Sequence, residues 1–206
     1  MWAGFNCATA NILAMQLNRS TTMGYSLRFM PTPLASAVLI EPVLRNDDRG
    51  HFSRAWCARE FAEQGIEFVP VQANTGFSFR KGTLRGLHLQ LNPASEAKLV
   101  RCTRGALFDV VVDLRPESSS YLKWYGVELR VEKYQMLYVP EGCAHGYQTL
   151  EDNTDLYYMT SQYFTPSAAR GVRFDDVAFG IEWPLAPTEI SEQDRNWPLF
   201  NHKSLL

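Results

Sequence analysis

The chain has 206 residues, which is enough for one domain with a substantial hydrophobic core. Apolar residues make up 46% of it and aromatic residues 13%. The net charge is −2 and the pI is about 6.1, so the chain lacks the overall positive charge that recruits nucleic acids or acidic membranes. We therefore expect neither nucleic acid nor membrane as a partner.

The cysteine pattern bears on the cellular compartment. Four cysteines are scattered along the chain without a C-x-x-C pair: Cys7, Cys57, Cys102 and Cys143. This distribution argues against a zinc site and against a disulfide framework, and it fits the reducing cytoplasm. No run approaches the roughly 18 apolar residues of a membrane span.

The first thirty residues mix polar and apolar side chains without a clear period. They lack a basic segment and an obvious cleavage site, so we do not expect a signal peptide. We predict that residues 1–30 are an N-terminal extension, poorly ordered or peripheral. Residues 31–206 are expected to form a single domain.

From residue 37 onwards, short apolar or alternating runs are separated by turn residues. The pattern predicts one helix, over 58–65, a tight loop over 140–146 and a loop-rich tail from 165. The predicted strands, in chain order, are 37–44, 51–57, 67–77, 83–90, 97–103, 106–114, 121–130, 136–140, 146–150 and 154–164. Many short strands at this spacing are typical of an all-β sandwich or barrel.

The strand TLRGLHLQ (83–90) carries unusual polar groups for its position. Because side chains alternate between the two faces of a strand, Arg85 and His88 are expected on opposite faces. His88 is either a core or rim histidine with a local hydrogen-bond partner, or part of a pocket where chemistry occurs. The residues of this strand leave both explanations open.

Metal binding is one possible use of a histidine in a β-barrel. Barrels often bind metal through an H-x-H pair on one strand, but the residue two after His88 is Gln90, and no H-x-H occurs in the sequence. Glutamine is a poor substitute for imidazole as a transition-metal ligand. We therefore expect no metal, which leaves His88 as a general acid or base.

Other side chains could complete a site that removes a proton from carbon. Such a reaction next to a ketone needs a base at the C–H bond, a cation or donor at the oxygen, and an acid that returns a proton. Lys98 lies on the next strand, and only one of Tyr157 and Tyr158 can face inward. Each also has an ordinary explanation, as a solvated lysine or core aromatics, and Asp194 could be a cap or surface carboxylate. These residues alone do not choose a substrate.

Six motifs, in order along the chain, resemble those of the dTDP-4-dehydrorhamnose 3,5-epimerase family: RGLH (85–88), AKLVR (97–101), ALFDVVVDLR (106–115), YVPEGCAHGY (138–147), FDDVAFGIEWP (174–184) and ISEQD (190–194). The resemblance runs from about residue 38 to 198. It implies an all-β, cupin-type double-stranded β-helix (jelly roll) in a single domain with a few short helices. It also implies catalysis without metal or cofactor, and a homodimer in which partner residues enter each site.

The resemblance also assigns roles to individual residues. His88 matches the base, and Asp194 matches the carboxylate paired with it. Lys98 matches the lysine near the 4-keto oxygen, and Tyr158 matches the general acid on the opposite face of the sugar. The substrate-binding positions implied by the family are Arg49, Phe52, Gln72, Asn74, Arg85, His145, Tyr163 and Arg195.

One feature of strand 83–90 needs a local irregularity. Arg85 would clamp the diphosphate with its guanidinium while His88 acts on the sugar, although a regular strand puts them on opposite faces. We predict that a bulge at Gly86 re-aims one of the two side chains.

Four positions depart from the family pattern. Arg54, Ala73, Ala169 and Gln193 stand where Glu, Asp, Glu and Lys are usual, and they cluster around the nucleotide and the pocket rim. The expected function is epimerisation at C3 and C5 of a nucleotide-linked 4-keto-6-deoxyhexose, with dTDP-4-dehydro-6-deoxyglucose as the type substrate. Open alternatives are a 3-monoepimerase, an epimerase of CDP- or GDP-linked sugars, a related sugar ketoisomerase, and a non-enzymatic nucleotide-sugar-binding barrel.

Overall fold

The computed structural model describes residues 27–201. In this part of the chain the strands are β1 (Leu27–Pro31), β2 (Val38–Pro42), β3 (Arg45–Asp47), β4 (Gly50–Phe52), β5 (Gln72–Ser78), β6 (Thr83–Gln90), β7 (Lys98–Arg104), β8 (Ala106–Asp113), β9 (Trp124–Arg130), β10 (Met136–Val139), β11 (Cys143–Thr149), β12 (Thr154–Thr160), β13 (Ala169–Gly171) and β14 (Glu189–Ile190). The helices are α1 (Ala58–Glu63), α2 (Glu192–Arg195) and a 3-10 turn at Val131–Lys133. No helix within the described range is long and apolar enough to cross a membrane.

Two sheets make up most of the fold. The first has the strand order β1-β2-β10-β7-β12-β5, and the second has the order β13-β6-β11-β8-β9 with β14 added beside β6. Only β14 pairs in parallel, and β3 and β4 form a separate hairpin. Strands distant in sequence are therefore neighbours in both sheets, which confirms the predicted all-β jelly roll.

The main core lies between the two sheets. Val100 and Leu137 from the first sheet pack against Leu107, Val111 and Leu129 from the second, and all five are fully buried. Because inward and outward side chains alternate along a strand, each strand gives every second residue to this layer.

A second apolar cluster covers the outer face of the first sheet. Phe61 of α1 is fully buried, and its ring centroid lies 5.2 Å from that of Phe29, 6.0 Å from Phe68 and 6.3 Å from Tyr138. Helix α1 ends before Gly65, whose positive φ of 71° suits a residue without a side chain. The short predicted helix is therefore confirmed, and burial of Phe61 holds it on the sheet.

The strand predictions are right over 83–90 and nearly so over 106–114. The loop predicted over residues 140–146 is wrong in part, because β11 begins at Cys143. Of the second predicted strand, 51–57, only His51 and Phe52 lie in a strand, the exposed hairpin arm β4. In the third predicted strand, 67–77, pairing with β12 begins only at Gln72.

The two ends of the chain hold further differences. Residues 27–30, assigned to the N-terminal extension, lie in β1 and pair with β2. Residues 1–26 of that predicted extension lie outside the described residues. The tail that was predicted to be loop contains β13, β14 and α2, which are too short to produce a periodic pattern.

A bulge interrupts the pairing of β6 with β11. Arg85 lies opposite Tyr147 and His88 opposite His145, so β6 has one more residue between these pairs than β11 has. Gly86 has a φ of +129°, a conformation that L side chains rarely adopt. The predicted bulge at Gly86 is therefore confirmed.

The bulge depends on close contact between two glycines. A Cβ atom added to Gly86 would lie 2.5 Å from the Cα of Gly146. A Cβ added to Gly146 would lie 2.7 Å from the carbonyl oxygen of Arg85 and 2.8 Å from a methyl group of Leu87. The two backbones approach so closely that neither position has room for a side chain.

We expect Gly146→Ala to lower the free energy of unfolding by about 1–3 kcal/mol, because the added methyl group overpacks a contact made largely by backbone. Urea denaturation of the variant and the unsubstituted chain measures the difference. A free energy within about 0.5 kcal/mol of the unsubstituted protein would show that β6 and β11 can separate without cost.

Candidate active site

A cavity of about 360 Å³ opens at the end of the two sheets where β5, β6, β7 and β12 bring polar side chains together. The residues lining it include Gln72, Asn74, His88, Gln90, Glu96, Lys98, Tyr158, Gln193 and Trp197. A neighbouring cavity of about 510 Å³ is lined by Arg85 and Asp194 and shares His88 and Gln193 with the first. His88 therefore lines both cavities, which together are called the cleft.

His88 is held by a buried carboxylate. Its Nε2 lies 2.6 Å from Oδ1 of Asp194, and the exposed fractions of the two side chains are 45% and 6%. Donation from Nε2 leaves Nδ1 as the ring nitrogen that can take a proton. The arrangement is that of a general base oriented by a carboxylate.

Asp194 accepts two further hydrogen bonds. The backbone N–H of Gly86 donates at 3.2 Å and Nε1 of Trp197 donates at 3.2 Å. Burial by itself raises the pKa of the Asp194 carboxyl, but the hydrogen bonds from His88, Gly86 and Trp197 outweigh burial and leave the pKa below its usual range. The carboxylate therefore stays charged beside the imidazole.

The tail that carries Asp194 is fixed to the second sheet. Ser191 caps α2 by accepting a hydrogen bond from the N–H of Asp194, and β14 pairs with β6 just before it. Gly171, opposite His88 in the sheet, leaves room for the Trp197 indole, which a Cβ atom there would overlap. Sequence analysis did not identify Trp197, since no spacing in the chain relates it to Asp194 or Gly171.

Lys98 is the second charged group of the cleft. Its Nζ lies 3.2 Å from Oε1 of Glu96 and donates to the backbone oxygen of His88 at 3.3 Å. The side chain is only 8% exposed and lines the cavity. A developing negative charge on a bound ligand would meet this ammonium group in a site with little water.

Tyr158 lines the same cavity, whereas Tyr157 is not among its lining residues. Burial and the negative charge of Glu96 raise the pKa of the Tyr158 hydroxyl, and Arg85 opposes them. The phenol is therefore kept in its protonated form, as a proton donor requires.

Several predicted ligand-binding residues lie around this centre. Gln72 donates to Asn74 at 3.2 Å, and both side chains line the cavity. Arg85 is exposed, lines the neighbouring part of the cleft and donates to the Phe77 carbonyl at 3.0 Å. Tyr163 follows β12, and its side chain is 63% exposed. Its backbone oxygen accepts a hydrogen bond from Nε2 of Gln90, which holds this loop in place.

Other predicted ligand-binding residues do not line the cavity. Arg49 and Phe52 lie on the exposed β3–β4 hairpin, and Arg195 is exposed on α2. His145 is buried, with Nε2 2.8 Å from Oδ1 of Asp109, and does not line the cavity. Among residues 27–201 no group of three His, Cys, Asp or Glu side chains could hold a metal ion.

Comparison with known proteins gives a family match over most of the chain. The family model described as dTDP-4-dehydrorhamnose 3,5-epimerase matches residues 31–202. The dTDP-4-dehydrorhamnose 3,5-epimerase of Methanothermobacter thermautotrophicus is 42% identical over 173 residues, which cover 82% of this chain and 92% of that protein.

Solved structures show the same similarity. The dTDP-4-dehydrorhamnose 3,5-epimerase of Bacillus anthracis, with TDP and PPi bound, has a TM-score of 0.82 and 35% identity, over 85% of this chain and all of that chain. ChmJ, a 3'-monoepimerase from Streptomyces bikiniensis in complex with dTDP-quinovose, has a TM-score of 0.76 and 31% identity, over 82% of this chain and 86% of that chain.

Proposed function

The chain belongs to the dTDP-4-dehydrorhamnose 3,5-epimerase family, and we propose that it inverts C3 and C5 of dTDP-4-keto-6-deoxyglucose. The observation that carries this proposal is the pairing of His88 with buried Asp194 in a cavity that Lys98 and Tyr158 also line. These are the base, cation and acid that proton exchange next to a ketone requires.

The first half of the reaction is proton removal. The 4-keto group acidifies the hydrogens on both C3 and C5, and in the glucose configuration both C–H bonds lie on the same face of the ring. One base can therefore serve both carbons. The proton moves from carbon to Nδ1 of His88, and Asp194 stabilises the imidazolium that forms. The electron pair left on carbon becomes the enolate.

The second half returns a proton from the other face. Lys98 stabilises the charge on the enolate oxygen, and the Tyr158 hydroxyl gives its proton to the carbon on the face opposite His88. The ketone reforms with inverted configuration. Water then takes the proton from His88 and supplies one to the tyrosinate, so no net proton is consumed.

The nucleotide of the proposed substrate is dTDP. Solved relatives are described with TDP or a dTDP-sugar bound. The departure at Arg54 does not require another nucleotide, because its guanidinium donates to Oε1 of Glu60 at 2.7 Å, and Oε2 of Glu60 accepts the Leu27 N–H at 2.7 Å. The positive charge that Arg54 introduces is balanced within the protomer.

We further propose that the active form is a homodimer in which the β3–β4 hairpin of one protomer enters the site of the other. Arg49 and Phe52, implied as substrate ligands, lie on this exposed hairpin, and Phe52 is 61% exposed. Exposed apolar residues also lie along and beside the edge strand β5: Val69, Val71, Phe77 and Phe79. Burial of such a strip in an interface would remove it from water.

The proposed compartment is the cytoplasm. Cys57, Cys102 and Cys143 are free thiols in the described part of the chain. Free cysteines are the usual state in a reducing compartment.

Incubation of dTDP-4-keto-6-deoxyglucose with the protein in deuterated water should introduce deuterium at C3 and C5. His88→Ala should slow both exchanges by at least about 100-fold, because the base is lost. Proton NMR of the sugar measures both positions separately. Exchange at C3 alone would identify a 3-monoepimerase, and no exchange with the unsubstituted protein would contradict the proposed reaction.

Mixed dimers test whether the β3–β4 hairpin of one protomer enters the site of the other. If Arg49 serves the partner's site, His88→Ala and Arg49→Ala proteins are each inactive, but a mixed dimer contains one site with both native residues. Unfolding and refolding an equimolar mixture should then restore about a quarter of the native activity. Activity that stays at the level of the separate variants would show that Arg49 serves its own protomer or none.

A further inference from the structure

An acidic side chain lies beside the lysine of the proposed site. Oε1 of Glu96 is 3.2 Å from Nζ of Lys98, and the Glu96 side chain is only 11% exposed. Glu96 lines the same cavity as His88 and Tyr158. The proton transfers described above give this carboxylate no task.

We propose that Glu96 is a positioning residue that fixes the ammonium group of Lys98 in the cavity that Tyr158 also lines. This inference rests on the proposed epimerase function and adds to it a group that touches neither reacting carbon. Glu96 acts on Lys98 through its position and on Tyr158 through its charge. Different substitutions separate these two effects.

The geometric effect acts on a flexible side chain. An ammonium group has three N–H donors on a four-carbon stem and is costly to bury unless it is paired. Glu96 accepts from Lys98 on one side, and the backbone oxygen of His88 accepts at 3.3 Å on another. Two fixed acceptors leave one N–H of Lys98 for the ketone oxygen of a bound sugar.

Glu96 is itself held in place. Nε2 of Gln90 donates to Oε2 of Glu96 at 3.3 Å, and Oε1 of Gln90 accepts from the N–H of Thr165 at 2.6 Å. Gln90 is the last residue of β6 and is 3% exposed. Through Gln90 the Glu96 carboxylate is anchored to β6, the strand that carries His88. The same strand therefore positions both the base and, through Glu96, the ammonium group of Lys98.

The electrostatic effect acts on Tyr158. The charged and titratable groups around its site are Glu96, Arg85, Lys98, His88, Arg170 and Tyr147. Glu96 raises the pKa of Tyr158, and Arg85 lowers it. Loss of the Glu96 charge would let the phenol ionise at lower pH, and an ionised phenol cannot give a proton to the enolate.

The test compares Glu96→Gln with Glu96→Asp in the full-length protein. Glutamine keeps the size and the acceptor for Gln90 but removes the charge, whereas aspartate keeps the charge but is one methylene shorter. In Glu96→Gln we expect kcat to fall about tenfold, with KM nearly unchanged. In the pH profile of kcat, we expect the alkaline limb to move about half a pH unit or more towards neutral. In Glu96→Asp we expect a similar fall in kcat with the alkaline limb near its native position.

Glu63→Gln, at an exposed position on α1, is the control and should leave kcat and the limb unchanged. Urea denaturation and dTDP binding verify that each variant is folded. A folded Glu96→Gln variant with native kcat and a native alkaline limb would overturn the proposal. Lack of exchange in the unsubstituted protein would instead overturn the proposed function, and this inference with it.

Discussion

The candidate site depends on one buried carboxylate. Asp194 lies 106 residues after His88 in the chain, yet it accepts from the imidazole at 2.6 Å, from the Gly86 backbone and from Trp197. A buried carboxylate is costly unless its oxygens are hydrogen-bonded, so these donors must be in place for the fold to tolerate it. The same bonds determine which imidazole nitrogen faces a ligand, which links the stability of the tail to the chemistry of the cleft.

Glycines make that arrangement geometrically possible. The contact between Gly86 and Gly146 permits a bulge that lets Arg85 and His88 line the same cavity, although a regular strand would separate them. Gly171 leaves room for the indole that donates to Asp194. The absence of side chains at three positions therefore shapes the site as much as the polar groups do.

The sequence predicted those features that depend on local pattern. Short, mostly apolar runs bounded by turn residues predicted β6 and β8, and motif resemblance predicted the jelly roll and the grouping of His88, Lys98 and Tyr158. Roles of single residues remain proposals. The pairing of Lys98 with Glu96 and of Arg54 with Glu60 was not predicted, because charged residues close in sequence have many alternative partners. Elements of two to five residues, such as β1, β13 and β14, also give no periodic signal.

The proposed reaction requires that Asp194 hold His88 with its proton on Nε2 and with Nδ1 free to act as the base. Nitrogen NMR of protein with ring-labelled histidine measures this directly, since protonated and unprotonated ring nitrogens have distinct shifts. For neutral His88 we expect a protonated Nε2 and a bare Nδ1, and Asp194→Asn should weaken this preference. A neutral His88 that carries its proton on Nδ1 in the unsubstituted protein would exclude Nδ1 as the base.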